Sequence, residues 1–263
     1  MIIGLISDFG ENDYFVGTLK GVIKKINPQA DVIDICHGVP SYFIQGASYV
    51  LEKTYSYFPA GTIFLAVVDP GVGTRRKLLL ATAAGFSFIA PDNGILTPIF
   101  KLDGNVSVRE LDQDWYFLNS GPSTFEARDR MAPVAAHLAK GIPASELGSE
   151  TKEYIVNQDY YPRQVQADRI EGRIIHVDKF GNIISNVPGK WLFEKLLAHE
   201  CPHFTLLIND QEISEFRQDY VSTSGSPFML IGSHGNLEIA MNRCHAFKEL
   251  HAQLNQKFII LFT

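Results

Sequence analysis

The sequence predicts an α/β protein: an N-terminal α/β domain on a largely parallel sheet, then a smaller C-terminal all-β barrel domain. Three observations predict it. Short β-rich runs alternate with amphipathic helical stretches through the first part of the chain, the rhythm of a parallel sheet. One of those runs, Thr62-Ile63-Phe64-Leu65-Ala66-Val67-Val68, is apolar without alternation and stops abruptly at Asp69, as a strand covered on both faces does. After Tyr161-Pro162-Arg163 the helical periodicity gives way to short strands separated by dense turn signals, the pattern of a small barrel or sandwich. The predicted domains are residues 1–160 and 161–263, with the boundary between about 150 and 168. A cleft between two such domains is a common ligand location.

The elements follow in order. Residues 2–6 read as a strand ending in Ser7-Asp8-Phe9-Gly10. Residues 13–26 read as a helix, because Phe15, Leu19, Val22, Ile23 and Ile26 share one face. Asn27-Pro28 stops it. A strand at 31–36 leads into His37-Gly38-Val39-Pro40, and a helix at 42–57 closes at Phe58-Pro59-Ala60-Gly61. Strands at 62–68, 78–83 and 86–90 come next, the last ending in Pro91-Asp92-Asn93-Gly94, and a helix spans 131–140. Downstream, strands are predicted at 169–178, 182–186, 204–208, 228–231, 237–241 and 257–262. Turns separate them at Phe180-Gly181-Asn182, Val187-Pro188-Gly189, Ser224-Gly225-Ser226-Pro227 and His234-Gly235-Asn236.

Composition narrows the function classes. The 263 residues are 46% hydrophobic and 20% charged, with a net charge of −6, a balance that suits a globular protein and argues against a nucleic-acid surface. Cys36, Cys201 and Cys244 are scattered and form no CxxC pair. A structural zinc site is therefore not expected, and a reduced cytoplasmic protein is the simplest reading. The N-terminus lacks the basic segment of a signal peptide, and no apolar run reaches membrane-spanning length.

Open α/β sheets bind ligands at the carboxyl ends of their strands, which singles out several turns. Asp69-Pro70-Gly71-Val72-Gly73-Thr74-Arg75-Arg76 is either a surface turn with a salt bridge or a place where backbone approaches a ligand closely. It lacks the ending of a phosphate loop. Either arginine can hold an anion or polarise a water, and both stay charged. Asp8 is placed to accept hydrogen bonds from a ligand diol, or it caps the following helix. Asn93 sits in a turn tetrapeptide at a strand end. Phe125 offers a face to a purine and Glu126 can act as base or cation ligand; equally, 124–130 is a charged helix start. Asp178, Phe180 and Asn182 form either a hairpin turn or a set of hydrogen-bonding and stacking groups. The segment Gly232-Ser233-His234-Gly235-Asn236-Leu237-Glu238 is similar. The histidines show no metal-ligand spacing.

Taken in order, Ser7-Asp8-Phe9-Gly10, Asp34-Ile35-Cys36-His37, Asp69-Pro70-Gly71-Val72-Gly73-Thr74, Pro91-Asp92-Asn93-Gly94, Ala132-Pro133-Val134-Ala135-Ala136-His137-Leu138, Phe180-Gly181-Asn182 and Gly232-Ser233-His234-Gly235 resemble the S-adenosylmethionine hydroxide adenosyltransferases, relatives of the fluorinase and chlorinase enzymes. The resemblance spans nearly the whole chain. It implies nucleophilic attack at C5′ of S-adenosyl-L-methionine with loss of methionine; in the hydrolase branch the nucleophile is water and the product adenosine. It implies a homotrimer with the nucleoside bound between subunits, no cofactor other than S-adenosyl-L-methionine as substrate, and no metal; the charge balance and the lack of a long apolar run already point to no nucleic-acid and no membrane partner. By the same resemblance Asp8 holds the ribose hydroxyls, Phe125 and Phe180 flank the nucleoside, Asp178 binds the methionine end with Ser233 nearby, and Asn182 meets the adenine edge. Tyr42, Asn93 and Glu238 complete the expected substrate contacts. Asp69 and Arg76 position the attacking water.

One departure stands out. The hydrolase branch typically has Phe-His-Gly-Arg-Asp where this chain has Phe125-Glu126-Ala127-Arg128-Asp129, so Glu126 replaces a His. Asn236 also stands where an aromatic is usual. A buried Glu126 beside Asp69 is a like-charge pair, in which one carboxyl is expected to titrate high and serve as a base; the alternative is a non-catalytic adenosine or S-adenosylmethionine binder. Negative charge at the same place disfavours a halide-using adenosyltransferase.

Overall fold

A computed structural model describes residues 1–102, 104–200, 203–221 and 225–262; Cys201 and Ser224, noted above, lie outside them. The chain forms two compact units, Met1–Asn157 and Gln158–Thr263.

In the first unit β1 (Ile2–Ser7), β2 (Asp31–Cys36), β3 (Ile63–Val67), β4 (Leu78–Ala83), β5 (Phe86–Pro91), β6 (Ser107–Glu110) and β7 (Ser149–Glu150) make one sheet in the order β2-β1-β3-β5-β4-β6-β7. The pairings among β2, β1, β3 and β5 are parallel, whereas β4, β6 and β7 run antiparallel. The reversal is local in origin. Only Ala84 and Gly85 join β4 to β5, with φ of 51° and 82°, and a two-residue turn of that kind folds strands back on each other.

Helix α1 (Phe15–Ile26) and α3 (Ala132–Ala139) cover one face, and α2 (Ile44–Thr54) the other. Alternate residues of β3 divide between them: Ile63, Leu65 and Val67 join Leu19, Ile23 and Val134, while Phe64 and Ala66 join Ala47 and Leu51. Burial on both faces is why the run shows no polar alternation. The helix expected at 42–57 is shorter, and its last turn is a tight 3₁₀ turn at Tyr55–Tyr57. A π-helical turn, Ala127–Met131, leads into α3; such turns are rare and concentrate at functional sites. A short α4 (Ala144–Leu147) precedes β7.

The second unit is antiparallel. It contains β8 (Arg163–Gln166), β9 (Arg169–Val177), β10 (Ile183–Pro188), β11 (Phe204–Ile208), β12 (Gln211–Ile213), β13 (Phe228–Ile231), β14 (Asn236–Ala240) and β15 (Lys257–Phe262). Their order is β12-β11-β15-β9-β10-β14-β13, with β8 beside β9. The chain beyond β12 then meets β13: Arg217 N–H donates to Met229 O and Met229 N–H to Glu215 O, both at 2.8 Å. This nearly closes the sheet into a barrel around Ile170, Ile174, Leu206, Leu237 and Ile260. The unit is not wholly β. Helix α5 (Gly189–Ala198) buries Leu192 and Leu196 in that core, and α6 (Ala246–Glu249) is a single turn.

Candidate active site

The site grows from two neighbouring parallel strands. Ser7 of β1 lies opposite Val67 of β3, so the residues that follow, Asp8 and Asp69, leave the same edge of the sheet. Asp69 opens a tight loop in which Gly71 N–H donates to its Oδ1 at 3.1 Å and Thr74 Oγ1 donates to Gly71 O at 2.7 Å. That turn brings Arg76 back on Asp69. Arg76 Nε donates to Asp69 Oδ1 at 2.7 Å and Nη2 to Oδ2, a bidentate fork that fixes both planes.

Glu126 enters from the π-helical turn. Its Oε2 accepts from Arg76 Nη2 at 2.5 Å and from Gly73 N–H at 3.3 Å, and its Oε1 accepts from Arg130 Nη1 at 2.8 Å. The side chains of Arg76, Asp69 and Glu126 are 9, 7 and 4% exposed. The expected bare pair of carboxylates is therefore a compensated cluster of two acids and two guanidinium groups. Glu126 does not stand as a free base, because both of its oxygens are engaged by cations. Burial pulls the Arg76 pKa down, but the hydrogen bonds and charge of Asp69, with those of Glu126, raise it above the ordinary guanidinium value. Arg76 Nη1 is buried and has no hydrogen-bond partner among the described residues, so both of its N–H groups are unspent.

Asp8, Tyr42, Asp69, Phe125 and Glu126 line a cavity of about 450 Å³, together with Asp13, Phe9, Phe15 and Ala127. The volume suits a nucleoside-sized ligand. Tyr42 N–H donates to Asp8 Oδ2 at 2.9 Å. Burial raises the Asp8 pKa above the ordinary carboxylate value, and the charge of Asp69 adds to it, against the lowering effect of the Tyr42 bond. Tyr42 holds φ at 67° with its ring exposed, an uncommon conformation for a bulky residue. Phe125 packs edge-on against Phe9 and Phe15, and the Arg128 guanidinium lies 5.1 Å from its ring centroid.

Asn93 does not join the cavity lining. Its Nδ2 donates to Val68 O at 2.9 Å and its Oδ1 accepts from Ile95 N–H at 3.2 Å, so one end of the amide holds the backbone just before Asp69 and the other closes its own turn. Arg75 is exposed; of these two adjacent arginines it is Arg76 that bonds Asp69 and Glu126.

The remaining candidates belong to the second unit. Asp178 Oδ1 accepts from the N–H groups of Phe180 and Asn182, each at 2.9 Å, and Oδ2 accepts from Asn182 Nδ2 at 2.8 Å. Gly181 in this turn has φ of 88°, and a Cβ there would sit 2.3 Å from the His245 ring, so only glycine fits. The Phe180 ring is 75% exposed and Asn182 is buried. Ser233 is exposed. Glu238 is buried between Tyr220 Oη at 2.7 Å and His234 Nε2 at 2.5 Å; burial and that carboxylate raise the Tyr220 pKa. Asn236 Nδ2 donates to Ser185 O at 2.7 Å. Sequence reasoning passed over Arg130, although its i,i+4 spacing from Glu126 is a standard ion-pair signal, and over Tyr220, which meets Glu238 from 18 residues away with no local pattern to link them. Among the described residues no group of three or more His, Cys, Asp or Glu is arranged to hold a metal ion, and no helix is long and apolar enough to cross a membrane.

Residues 3–148 match the SAM hydroxide adenosyltransferase N-terminal domain and residues 172–259 the SAM hydroxide adenosyltransferase C-terminal domain. The chain is 30% identical to the (R)-S-adenosyl-L-methionine hydrolase of Methanocaldococcus jannaschii, over 99% of this chain and 96% of that one. It is 32% identical to the protein of the same name from Thermus thermophilus, over 93% of each. A fluorinase from Actinoplanes is more distant, at 26% identity over 92% of this chain and 91% of the relative. The crystal structure of an uncharacterized conserved protein from Thermotoga maritima superposes with a TM-score of 0.85 at 34% identity, covering 98% of this chain and 99% of that one. With both domain types matched in order and relatives aligned almost end to end, the chain belongs to the SAM hydroxide adenosyltransferase family.

Proposed function

We propose that this protein hydrolyses S-adenosyl-L-methionine to adenosine and L-methionine by attack of water at C5′. The observation that carries the reading is the buried Asp69–Arg76 fork beside the Asp8 cavity, with Arg76 Nη1 left without a partner among the described residues, in a chain whose relatives are named for this hydrolysis.

The chemistry asks little of an acid. A sulfonium leaves as a neutral thioether, taking the C5′–S bonding pair, so the leaving group needs no proton. The attacking water forms the C5′–O bond and loses one proton to solvent. The task is to align the water with the C5′–S bond and strip it of bulk solvent, and alignment of this kind is worth roughly 7–11 kcal/mol. Asp69 accepts a hydrogen bond from the water while Arg76 Nη1 donates one to it, which directs a lone pair toward C5′. Glu126 and Arg130 act behind this pair by holding the guanidinium. Asp8 receives the ribose diol and Phe125 borders the nucleoside. Asp178, Phe180, Asn182, Ser233 and Glu238 are assigned to substrate on the family resemblance, as is a homotrimer with interfacial sites; the scattered cysteines support a cytoplasmic location. The acids near the nucleophile are neutralised by Arg76 and Arg130, so charge alone does not exclude a halide; reactions with chloride or fluoride that yield only adenosine would.

Purified protein incubated with S-adenosyl-L-methionine should release adenosine, followed by chromatography. Asp69→Ala should slow release by roughly 10²–10³-fold, the usual scale for losing one group that acts on the reacting atoms. No adenosine above the Asp69→Ala background sinks the catalytic reading, and calorimetric binding without turnover replaces it with that of a binder.

A further inference from the structure

Asp34 and His37 belong to a motif that the site above leaves without a role. The β1–β2 register slips after Leu5↔Asp34, so that Ile6 pairs with Cys36. The slip carries His37 beside the end of β1. There Ser7 Oγ and His37 Nδ1 are 2.7 Å apart, His37 Nε2 and Asp34 Oδ1 are 3.0 Å apart, and Lys20 Nζ reaches Asp34 Oδ2 at 2.5 Å. Phe9 N–H donates to Ser7 Oγ at 3.3 Å. The Asp34 carboxylate can only accept, so Nε2–H donates to it, and in the tautomer with its proton on Nε2 the ring's Nδ1 accepts the Ser7 hydroxyl proton. Burial works against ionising Asp34, but Lys20 and His37 keep its pKa below the ordinary value, consistent with an anion at the end of the chain.

These are the residue types of a nucleophilic triad, yet the arrangement is not one. Ser7 is 1% exposed and His37 8%, so no substrate reaches the hydroxyl. What the chain does reach is Asp8. Three contacts tie the loop after β1 to the loop after β2: Ser7 Oγ to His37 Nδ1, Gly10 N–H to His37 O at 2.8 Å, and Tyr42 N–H to Asp8 Oδ2 at 2.9 Å. Asp8 lies inside this clasp, and its Oδ2 is set by the same loop that His37 anchors.

We infer that the Lys20–Asp34–His37–Ser7 relay is a positioning device that sets the Asp8 carboxylate for a ribose diol, with His37 as its central positioning residue. The inference rests on the proposed role of Asp8. It gives the buried Ser7 hydroxyl and the half-exposed Asp34 one shared purpose, and it predicts an effect on diol selectivity, which loss of folding stability alone does not produce.

The test compares adenosine with 2′-deoxyadenosine by calorimetry on the full-length protein. Wild type should prefer adenosine roughly tenfold, the scale of one charge-assisted hydrogen bond. His37→Ala and Ser7→Ala should each bring the ratio to within about twofold, while His37→Asn, whose side-chain oxygen can still accept from Ser7, should restore most of it. If His37→Ala does not fold, Ser7→Ala, which removes only a hydroxyl, carries the test. A wild-type preference that survives both alanine variants overturns the relay and leaves the role of Asp8 standing. Absence of any preference in wild type overturns the Asp8 assignment and the relay with it.

Discussion

The two units hold their candidate site residues in different ways. In the first, Asp69, Arg76 and Glu126 are joined by ion pairs between residues up to 50 positions apart, and the cluster leaves Arg76 Nη1 without a partner among the described residues. In the second, Asp178 is satisfied by backbone and side-chain donors within four residues, and the turn leaves a bare aromatic face, Phe180. The first arrangement stores a polarised, desolvated donor and is suited to acting on a reacting atom. The second is a rigid platform suited to recognition. Buried charge clusters fail badly when one partner is removed, whereas a turn bond that water can replace costs little.

The sharpest way to break the contrast is Arg76→Met. It leaves Asp69 and Glu126 buried without their shared cation, and losing one partner of a buried pair costs about 3–5 kcal/mol. Scanning calorimetry should show a melting temperature lower by on the order of 10 °C, with adenosine formation lost. A melting temperature within a degree or two of wild type would show that the cluster is not what holds this edge of the sheet.

Glu126→His is the next largest. Beside Arg76 and Arg130 an imidazole has two cationic neighbours and no anion of its own, so the single change should lower stability by roughly 2–3 kcal/mol and give no gain in rate. Adding Arg130→Gln should recover stability and at least part of the rate. A large gain from Glu126→His alone would mean that Glu126 impairs the site and does not support it.

A smaller effect comes from pH. Burial, assisted by Asp69, raises the Asp8 pKa, so on acidification Asp8 takes a proton at a higher pH in the folded protein than in the unfolded chain. Its burial as an anion opposes folding at neutral pH, and that cost is relieved as pH falls through the raised value. Binding moves the other way, since a protonated carboxyl loses an acceptor for the diol. Adenosine affinity should therefore weaken on going from pH 7 toward the carboxylate range, and Asp8→Asn should flatten that profile. An unchanged slope in Asp8→Asn would assign the dependence to another group.

The smallest effect belongs to the second unit. Asp178→Ala removes acceptors for three nearby donors in a partly exposed turn, and should lower stability by about 1–2 kcal/mol, or a few degrees in melting temperature. A loss as large as that of Arg76→Met would erase the distinction between the units.

Much of this was legible in the chain. Strands at Asp31–Cys36, Leu78–Ala83, Phe204–Ile208, Phe228–Ile231 and Lys257–Phe262 begin and end where the sequence pattern places them. Helix α5 was not read, because Val187-Pro188-Gly189 signals a turn and the residues after it sit among strands. The Glu126–Arg130 pair was readable as i,i+4 spacing. The Asn93 contact with Val68 O was not, since it depends on β5 lying beside β3.

By itself the sequence determined the alternation of elements, the doubly buried central strand, the turn at Asp178 and the placing of Asp8 and Asp69 at strand ends, because these follow from periodicity and turn chemistry within a few residues. Only the tertiary structure decided that Arg76 joins Asp69 to Glu126, that Asn93 buttresses backbone and that Ser7, His37 and Asp34 form one relay. Those facts depend on which strands are neighbours and on removing charge from water, where the partner of a carboxylate is fixed by distance through space and not by distance along the chain.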